Sequence, residues 1–189
     1  MNASPESFRR HRLTVAEYRA MGEHGTLAPD ARVELVGGEI VDLLPIGTMH
    51  AGIVDQLTRL LGRAVGERAI VRVQNPIELP EHSMPQPDLA LLRPRDDFYK
   101  RLQPGAADTL LVVEVADSSL AHDRDVKLPL YARHGVPAAW LIDVSGARIA
   151  LCREPGADGY GRIDELAGLG RVDVPGLDGV AVDLSGLLD

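Results

Sequence analysis

Apolar residues recur at helical spacing over Ile53, Val54, Leu57, Leu60, Leu61, Ala64 and Val65, with Asp55, Arg59 and Arg63 off that stripe. This pattern predicts a long amphipathic helix, with Thr48 placed to cap its start and Gly66 near its end. Upstream, Thr14 followed by Glu17 three residues later has the form of a capping box, and a short helix is expected over 15–21. Between the two helices lie short apolar segments at 32–36 and 39–44, joined by Gly37 and Gly38. Two glycines tolerate the positive φ angles of a tight turn, so these segments read as a β-hairpin.

Beyond residue 66 the pattern becomes strand-like. Segments 69–73, 76–79 and 88–92 are short and apolar, and 93–108 mixes charge, proline and glycine as a loop does. Residues 109–115 are apolar almost throughout, as expected of a strand buried on both faces. A helix is expected over 123–134, with Pro129 in its first turn or at a kink, and strands over 138–143 and 148–152. The mixed order predicts an α/β (α+β) fold with a mixed β-sheet flanked by helices. The chain reads as one domain over 1–189, with 1–11 as a flexible N-terminal tail. Residues 154–189 read as a glycine-rich C-terminal extension with short strands at 171–174 and 180–184.

Composition narrows the class. Hydrophobic residues make up 45% and charged residues 25%, as in an ordinary globular protein. No apolar run approaches the roughly 18 residues that span a bilayer, and the polar, basic first dozen residues do not read as a secretory signal. A single cysteine, Cys152, allows neither an internal disulfide nor a cysteine-based zinc cage. A cytoplasmic location without membrane attachment is the expectation. The net charge of −8 is the wrong sign for coating nucleic acid non-specifically. It leaves room for a nuclease, whose acidic metal ligands contribute to that count.

Glu114 is the least ordinary residue, a carboxylate between Val113 and Val115 in the most apolar strand. A buried carboxylate requires a cation or a strong hydrogen bond. Two readings stand: it pairs with an arginine at the strand's end, or it belongs to a site. Asp88, opening a strand directly after Pro87, is likewise either a turn residue or a ligand. Taken together, two acids on neighbouring short strands can converge at one sheet edge, and paired carboxylates with waters suit Mg²⁺. Lys127, at the start of the following helix, is near enough to offset charge on a phosphate.

These residues come in an ordered set: Gln86, Pro87 and Asp88; Glu114 and Val115; Asp123, Lys127 and Tyr131; Gly135, Val136 and Pro137; Trp140 and Asp143. The set resembles the Uma2 family of endonucleases, within the PD-(D/E)XK nuclease superfamily, over roughly residues 12–185. Glu34 to Ile40 resembles the family's Glu-Leu-x-x-Gly-Glu-Ile segment, and His50 falls where the family keeps a histidine. The resemblance implies a restriction-endonuclease-like core and Mg²⁺-dependent cleavage of DNA phosphodiesters, with Mn²⁺ as a substitute. It implies Asp88 and Glu114 as metal ligands, joined by the backbone carbonyl of Val115. Ala116 stands where the superfamily's usual lysine would be, which makes Lys127 the catalytic lysine, displaced onto the next helix. Glu34 and His50 complete the implied site. The family's Ser-Pro-Ser-Thr turn is replaced here by Asp117, Ser118, Ser119 and Leu120.

Blander readings accompany each assignment. His50 can cap the long helix, and Glu34 can pair with Arg32. Tyr131 and Trp140 read as core. Arg93, Arg95, Lys100 and Arg101 read as a solvated loop rather than a phosphate-contacting edge. The rival to the nuclease is a non-catalytic binding or regulatory module on the same fold, and a third reading is hydrolysis of another phosphoester. A homodimer is the expected assembly, since one centre per chain suits two copies on a duplex.

Overall fold

The eight residues Thr109–Ala116, β-branched and aliphatic except at Glu114, form a strand buried along its whole length. The rest of the fold is arranged around it. The computed structural model describes residues 10–167 and 170–188. Within them the order is α1 (Val15–Glu23), β1 (Val33–Val36), β2 (Glu39–Asp42), α2 (Thr48–Val65), β3 (Ile70–Val73), β4 (Leu89–Leu92) and β5 (Thr109–Ala116). There follow α3 (Leu120–His122), a π-helical turn (Asp123–Lys127), α4 (Leu128–Arg133), β6 (Ala138–Asp143), β7 (Arg148–Gly156), β8 (Gly159–Ala167), β9 (Arg171–Asp173) and β10 (Ala181–Asp183). The main sheet runs β3-β4-β5-β6-β7-β8, with only the β5/β6 pair parallel. β1/β2 and β9/β10 are separate antiparallel pairs.

Alternation along β5 sends its side chains to two cores. Leu111, Val113 and Val115 join Trp140, Ile142 and the buried stripe of α2 (Ile53, Val54, Leu57, Leu61 and Val65). Each such side chain contributes about 1.5–3 kcal/mol by its burial. Val112 and Ala116 pack on the other face with Leu130 and Tyr131 of α4. Glu114 has the parity of that second face, which decides what it meets.

The α1 capping box forms, with Thr14 accepting from the Glu17 N–H and Glu17 accepting from the Thr14 N–H. The β1/β2 hairpin turns on Gly37 and Gly38, at φ +60° and +86°. Several details differ from expectation. Thr48 is the first residue of α2 rather than its cap; Gly47 holds the cap position and offers no side chain. Residues 76–79 make only isolated bridges, Glu78 to Gly105 and Leu79 to Ser83, because Pro76 and Pro80 interrupt any ladder of N–H donors. The helix expected over 123–134 begins earlier, at Leu120, and contains the π turn. Pro129 has no N–H and its ring would clash with the Asp125 carbonyl in a regular helix. The wider turn just before it, with the Leu128 N–H on the Asp123 carbonyl, absorbs that conflict.

The C-terminal part is less peripheral than expected. β8 adds an edge strand to the main sheet, and Val172, Val174, Val180, Val182, Leu184 and Leu187 belong to the core over α2. Of the expected tail 1–11, residues 1–9 lie outside the described residues, and Arg10 and His11 are exposed. Among the described residues no helix is long and apolar enough to cross a membrane.

Candidate active site

The β4/β5 register pairs Leu89 with Val113, so the next position outward sets Asp88 beside Glu114 at the sheet's open end. Asp88 is fixed there by its own carboxylate: Oδ2 accepts from the Val115 N–H at 2.9 Å. In an extended strand the N–H and C=O of one residue lie on the same edge. The Val115 carbonyl therefore lies on the Asp88 side, while the carbonyl of Ala116 turns to the other side, where it accepts from Val144. The other Asp88 oxygen, Oδ1, faces His50 Nε2 at 3.1 Å and accepts from the Gln74 amide at 3.4 Å.

Glu114 meets the helix packed on its face. Lys127 Nζ stands 2.8 Å from Oε1, and the Tyr131 hydroxyl donates to the same oxygen at 2.5 Å. Both helical partners come one turn apart, on the side of the helix that Asp123 also occupies. Asp123, Lys127 and Tyr131 are all buried. Lys127 also donates to the Gln86 carbonyl at 3.2 Å and lies 3.5 Å from Oε2 of Glu34. Glu34 enters from β1, accepts from the Gln86 N–H at 2.9 Å, and has His122 Nε2 at 3.6 Å from its Oε1. That last distance is an ion-pair separation rather than a hydrogen bond. The buried ring nitrogens His122 Nε2 and His50 Nδ1 have no hydrogen-bond partner among the described residues.

Charge is unevenly supplied. Burial pushes the Glu114 carboxyl up to about 8, against the pull of Lys127 and with help from the charges of Asp123 and Asp88. Burial also raises Asp123, opposed by Lys127 and by the Ser119 hydroxyl that donates to it. For Asp88 and Glu34 burial acts upward too, yet both end below the usual carboxylate range. His50, the Val115 N–H and Lys127 outweigh it at Asp88; His122, Lys127 and the Gln86 N–H do so at Glu34. Burial disfavours the Lys127 ammonium, but Glu114, Glu34 and Asp123 together hold it firmly charged. The Asp88 hydrogen bond, against burial, raises His50. One lysine thus serves four acids.

These groups line one open cavity of about 450 Å³, bounded by the β2–α2 loop and the residues after β5. All five side chains expected from the sequence, Glu34, His50, Asp88, Glu114 and Lys127, line it. Asp123 and His122 do so as well and were not among the expected site residues. Asp123 stood in the ordered motif, at helical spacing from Lys127; His122 carried no signal of its own. Tyr131 and Trp140 are core, as read, although the Tyr131 hydroxyl reaches the site. Glu34 pairs with Lys127 and His122 rather than with Arg32. The basic run stays out of the cavity: Arg93, Arg95, Lys100 and Arg101 are exposed, and Arg95 pairs with Asp97.

The donor set suits a hard divalent cation. Both partners of Glu114 are on Oε1, leaving Oε2 without a hydrogen bond or ion pair among the described residues. Asp88, Glu114 and the Val115 carbonyl share one edge and offer only oxygen, the ligand type Mg²⁺ takes while keeping several waters. Among the described residues no three His, Cys, Asp or Glu side chains form a cluster able to hold a metal by themselves. Such a cation would therefore rest on two carboxylates, a carbonyl and water rather than on an all-protein cage.

Comparison with known proteins gives this geometry a family. The chain is similar in fold to the crystal structure of a protein described as a "putative nuclease" from Anabaena variabilis, with a TM-score of 0.71. The match covers 93% of this chain and 97% of that one at 16% identity, which shows the fold alone. No curated protein matches the chain. The model of the Uma2 family, described as "Putative restriction endonuclease", matches residues 15–185. A match over nearly all of the 189 residues shows that this chain belongs to the Uma2 family.

Proposed function

We propose that the cavity hydrolyses phosphodiester bonds of DNA with Mg²⁺, or Mn²⁺ in its place. The observation that carries this reading is the open edge where Asp88, the free Oε2 of Glu114 and the Val115 carbonyl come together beside a buried, charged lysine. Asp88, Glu114 and Val115 would hold the cation. A cation bound by them would supply Lewis-acid stabilisation of the charge that develops on the phosphate.

The chain's own groups do the rest. Lys127, kept charged by Glu114, Glu34 and Asp123, orients the attacking water and offsets negative charge at the phosphorus. Glu34 and the Gln86 carbonyl hold that ammonium in place. His50 fixes the orientation of the Asp88 carboxylate, as a group behind a ligand does. Two copies of the chain would bring two such centres to one DNA molecule, so a homodimer is part of the proposal.

The test is cleavage of single-stranded, duplex and branched DNA by the wild-type protein with Mg²⁺, with Mn²⁺ and with chelator. Cleavage should require the cation, and Asp88→Ala and Glu114→Ala should each lower it by at least about a hundredfold. Undiminished cleavage in both variants would sink the assignment of these residues, and no cleavage by the wild type under any of these conditions would leave the fold as a binding module.

A further inference from the structure

The cavity has an apolar lip. Of the large hydrophobic side chains exposed among the described residues, three fall within six positions: Leu44 at 57%, Ile46 at 43% and Met49 at 51%. Leu44, Pro45 and Ile46 lie in the β2–α2 loop and line the same cavity as Asp88 and Glu114; Met49 follows in the first turn of α2. The loop is drawn close to the opposite side of the mouth. A Cβ added at Gly47 would stand 3.5 Å from Oδ2 of Asp117, just after β5.

Charge around this lip argues against a run of phosphates. The lining holds six acids, Glu34, Asp42, Asp88, Glu114, Asp117 and Asp123. Apart from two imidazoles, its only bases among the described residues are Arg32 and the already committed Lys127. Binding through the backbone, of duplex and single strand alike, needs several Lys or Arg contacts to phosphates; the described lining does not supply them, so contacts to bases must carry more of the hold on a strand. Leucine, isoleucine, methionine and proline are the side chains that proteins insert between base steps, at the cost of unstacking them. That cost is least where bases are already unpaired.

On these grounds we infer that Leu44, Pro45 and Ile46 form a nucleobase subsite that selects strands with unstacked bases, such as single strands and flaps, over regular duplex. This inference rests on the phosphodiesterase reading of the same cavity. Bases of the bound strand pack on the lip while one phosphate reaches Asp88 and Glu114.

The experiment compares the full chain with a Leu44→Ser/Ile46→Ser double variant. Both positions are exposed and lie outside the proposed catalytic groups. The probes are a labelled single strand, its duplex, and the duplex with a single-stranded flap, followed by anisotropy in chelator and by cleavage with Mn²⁺. The wild type should bind and cut single strand and flap at least about tenfold better than duplex. The double variant should raise KM for the single strand by about tenfold, with kcat held within about twofold. Equal treatment of single strand and duplex by the wild type overturns the inference, as does a double variant with unchanged strand binding. A change of oligomeric state in the variant with strand binding intact also overturns it, and assigns the lip to contact between copies. If the wild type cuts none of the probes, the phosphodiesterase reading falls, and the anisotropy comparison still decides whether the lip holds bases.

Discussion

Lys127 and Tyr131 lie one helical turn apart and meet the same oxygen of Glu114, the ammonium at 2.8 Å and the hydroxyl at 2.5 Å. Two donors on Oε1 fix the carboxylate's orientation and leave Oε2 to the cavity. The arrangement couples the stability of the fold to the chemistry proposed for it, because removing either donor disturbs a fully buried acid.

Replacing Lys127 with Met removes the only positive charge paired with Glu114 among the described residues while keeping much of the side chain's volume. Truncating one partner of a buried ion pair typically costs about 3–5 kcal/mol. The loss is smaller here, because below about pH 8 the folded chain already holds a proton on Glu114. We expect Lys127→Met to lose about 2–4 kcal/mol in denaturant unfolding and to abolish cleavage. Unchanged stability would show that the pair is not formed in solution.

Tyr131→Phe separates the two donors. It keeps the ring in the core and removes one hydrogen bond to a buried carboxyl, a loss of about 1–3 kcal/mol. Lys127 still holds Oε1, so cleavage should persist with a modest change in cation dependence. A variant that folds normally but has lost all cleavage would promote Tyr131 from a positioning residue to one that acts on the substrate.

The Glu114 carboxyl gives a pH signature. Its folded value is about 8 against 4.5 ordinarily, so between those values the native chain holds a proton that the unfolded chain releases. Stability from this group is full below about pH 4.5 and is lost as pH rises through about 8. Glu114→Gln cannot titrate and lacks this loss. In chelator, the variant's Tm relative to wild type should therefore climb from pH 6 to pH 9. A constant difference across that range would refute the raised carboxyl.

Much of this was legible in the residues. The Thr14–Glu17 box and the α2 stripe are local signals, and strand alternation sets Glu114 apart from Val113 and Val115 on its own. The spacing of Asp123, Lys127 and Tyr131 likewise places them on one side of a helix. What escaped depends on partners distant in sequence. The Val115 N–H on Asp88 follows from the β4/β5 register, and no pattern within either strand announces it. β8 escaped because Gly159, Gly161, Arg162, Asp164 and Glu165 give an edge strand no apolar alternation; charges and glycine are how edges resist pairing with other chains. The π turn escaped because Pro129 permits either a helix start or a distortion, and the structure has both, a π turn over Asp123–Lys127 running into a helix with Pro129 in its first turn.

Cation binding supplies the sharpest test of the site as a whole. A cation that binds only the folded chain stabilises it by mass action, by about 2.7 kcal/mol at a hundredfold excess over Kd, and so raises Tm. It must displace the proton from Glu114, whose carboxyl loses that proton only near pH 8 in the cation-free site. Affinity for Mg²⁺ or Mn²⁺ should therefore strengthen between pH 6 and pH 8, with proton release. Calorimetry in two buffers of different ionisation enthalpy would measure that release directly. Asp88→Asn should weaken binding at every pH, since it removes a ligand. Glu114→Gln should also weaken it, and the pH dependence over that interval should flatten because the displaced proton is gone. Wild-type affinity that stays flat across the interval, in a chain whose Tm profile shows the raised carboxyl, would mean that Glu114 is not a ligand, and would leave Asp88 and its neighbours to hold the cation without it.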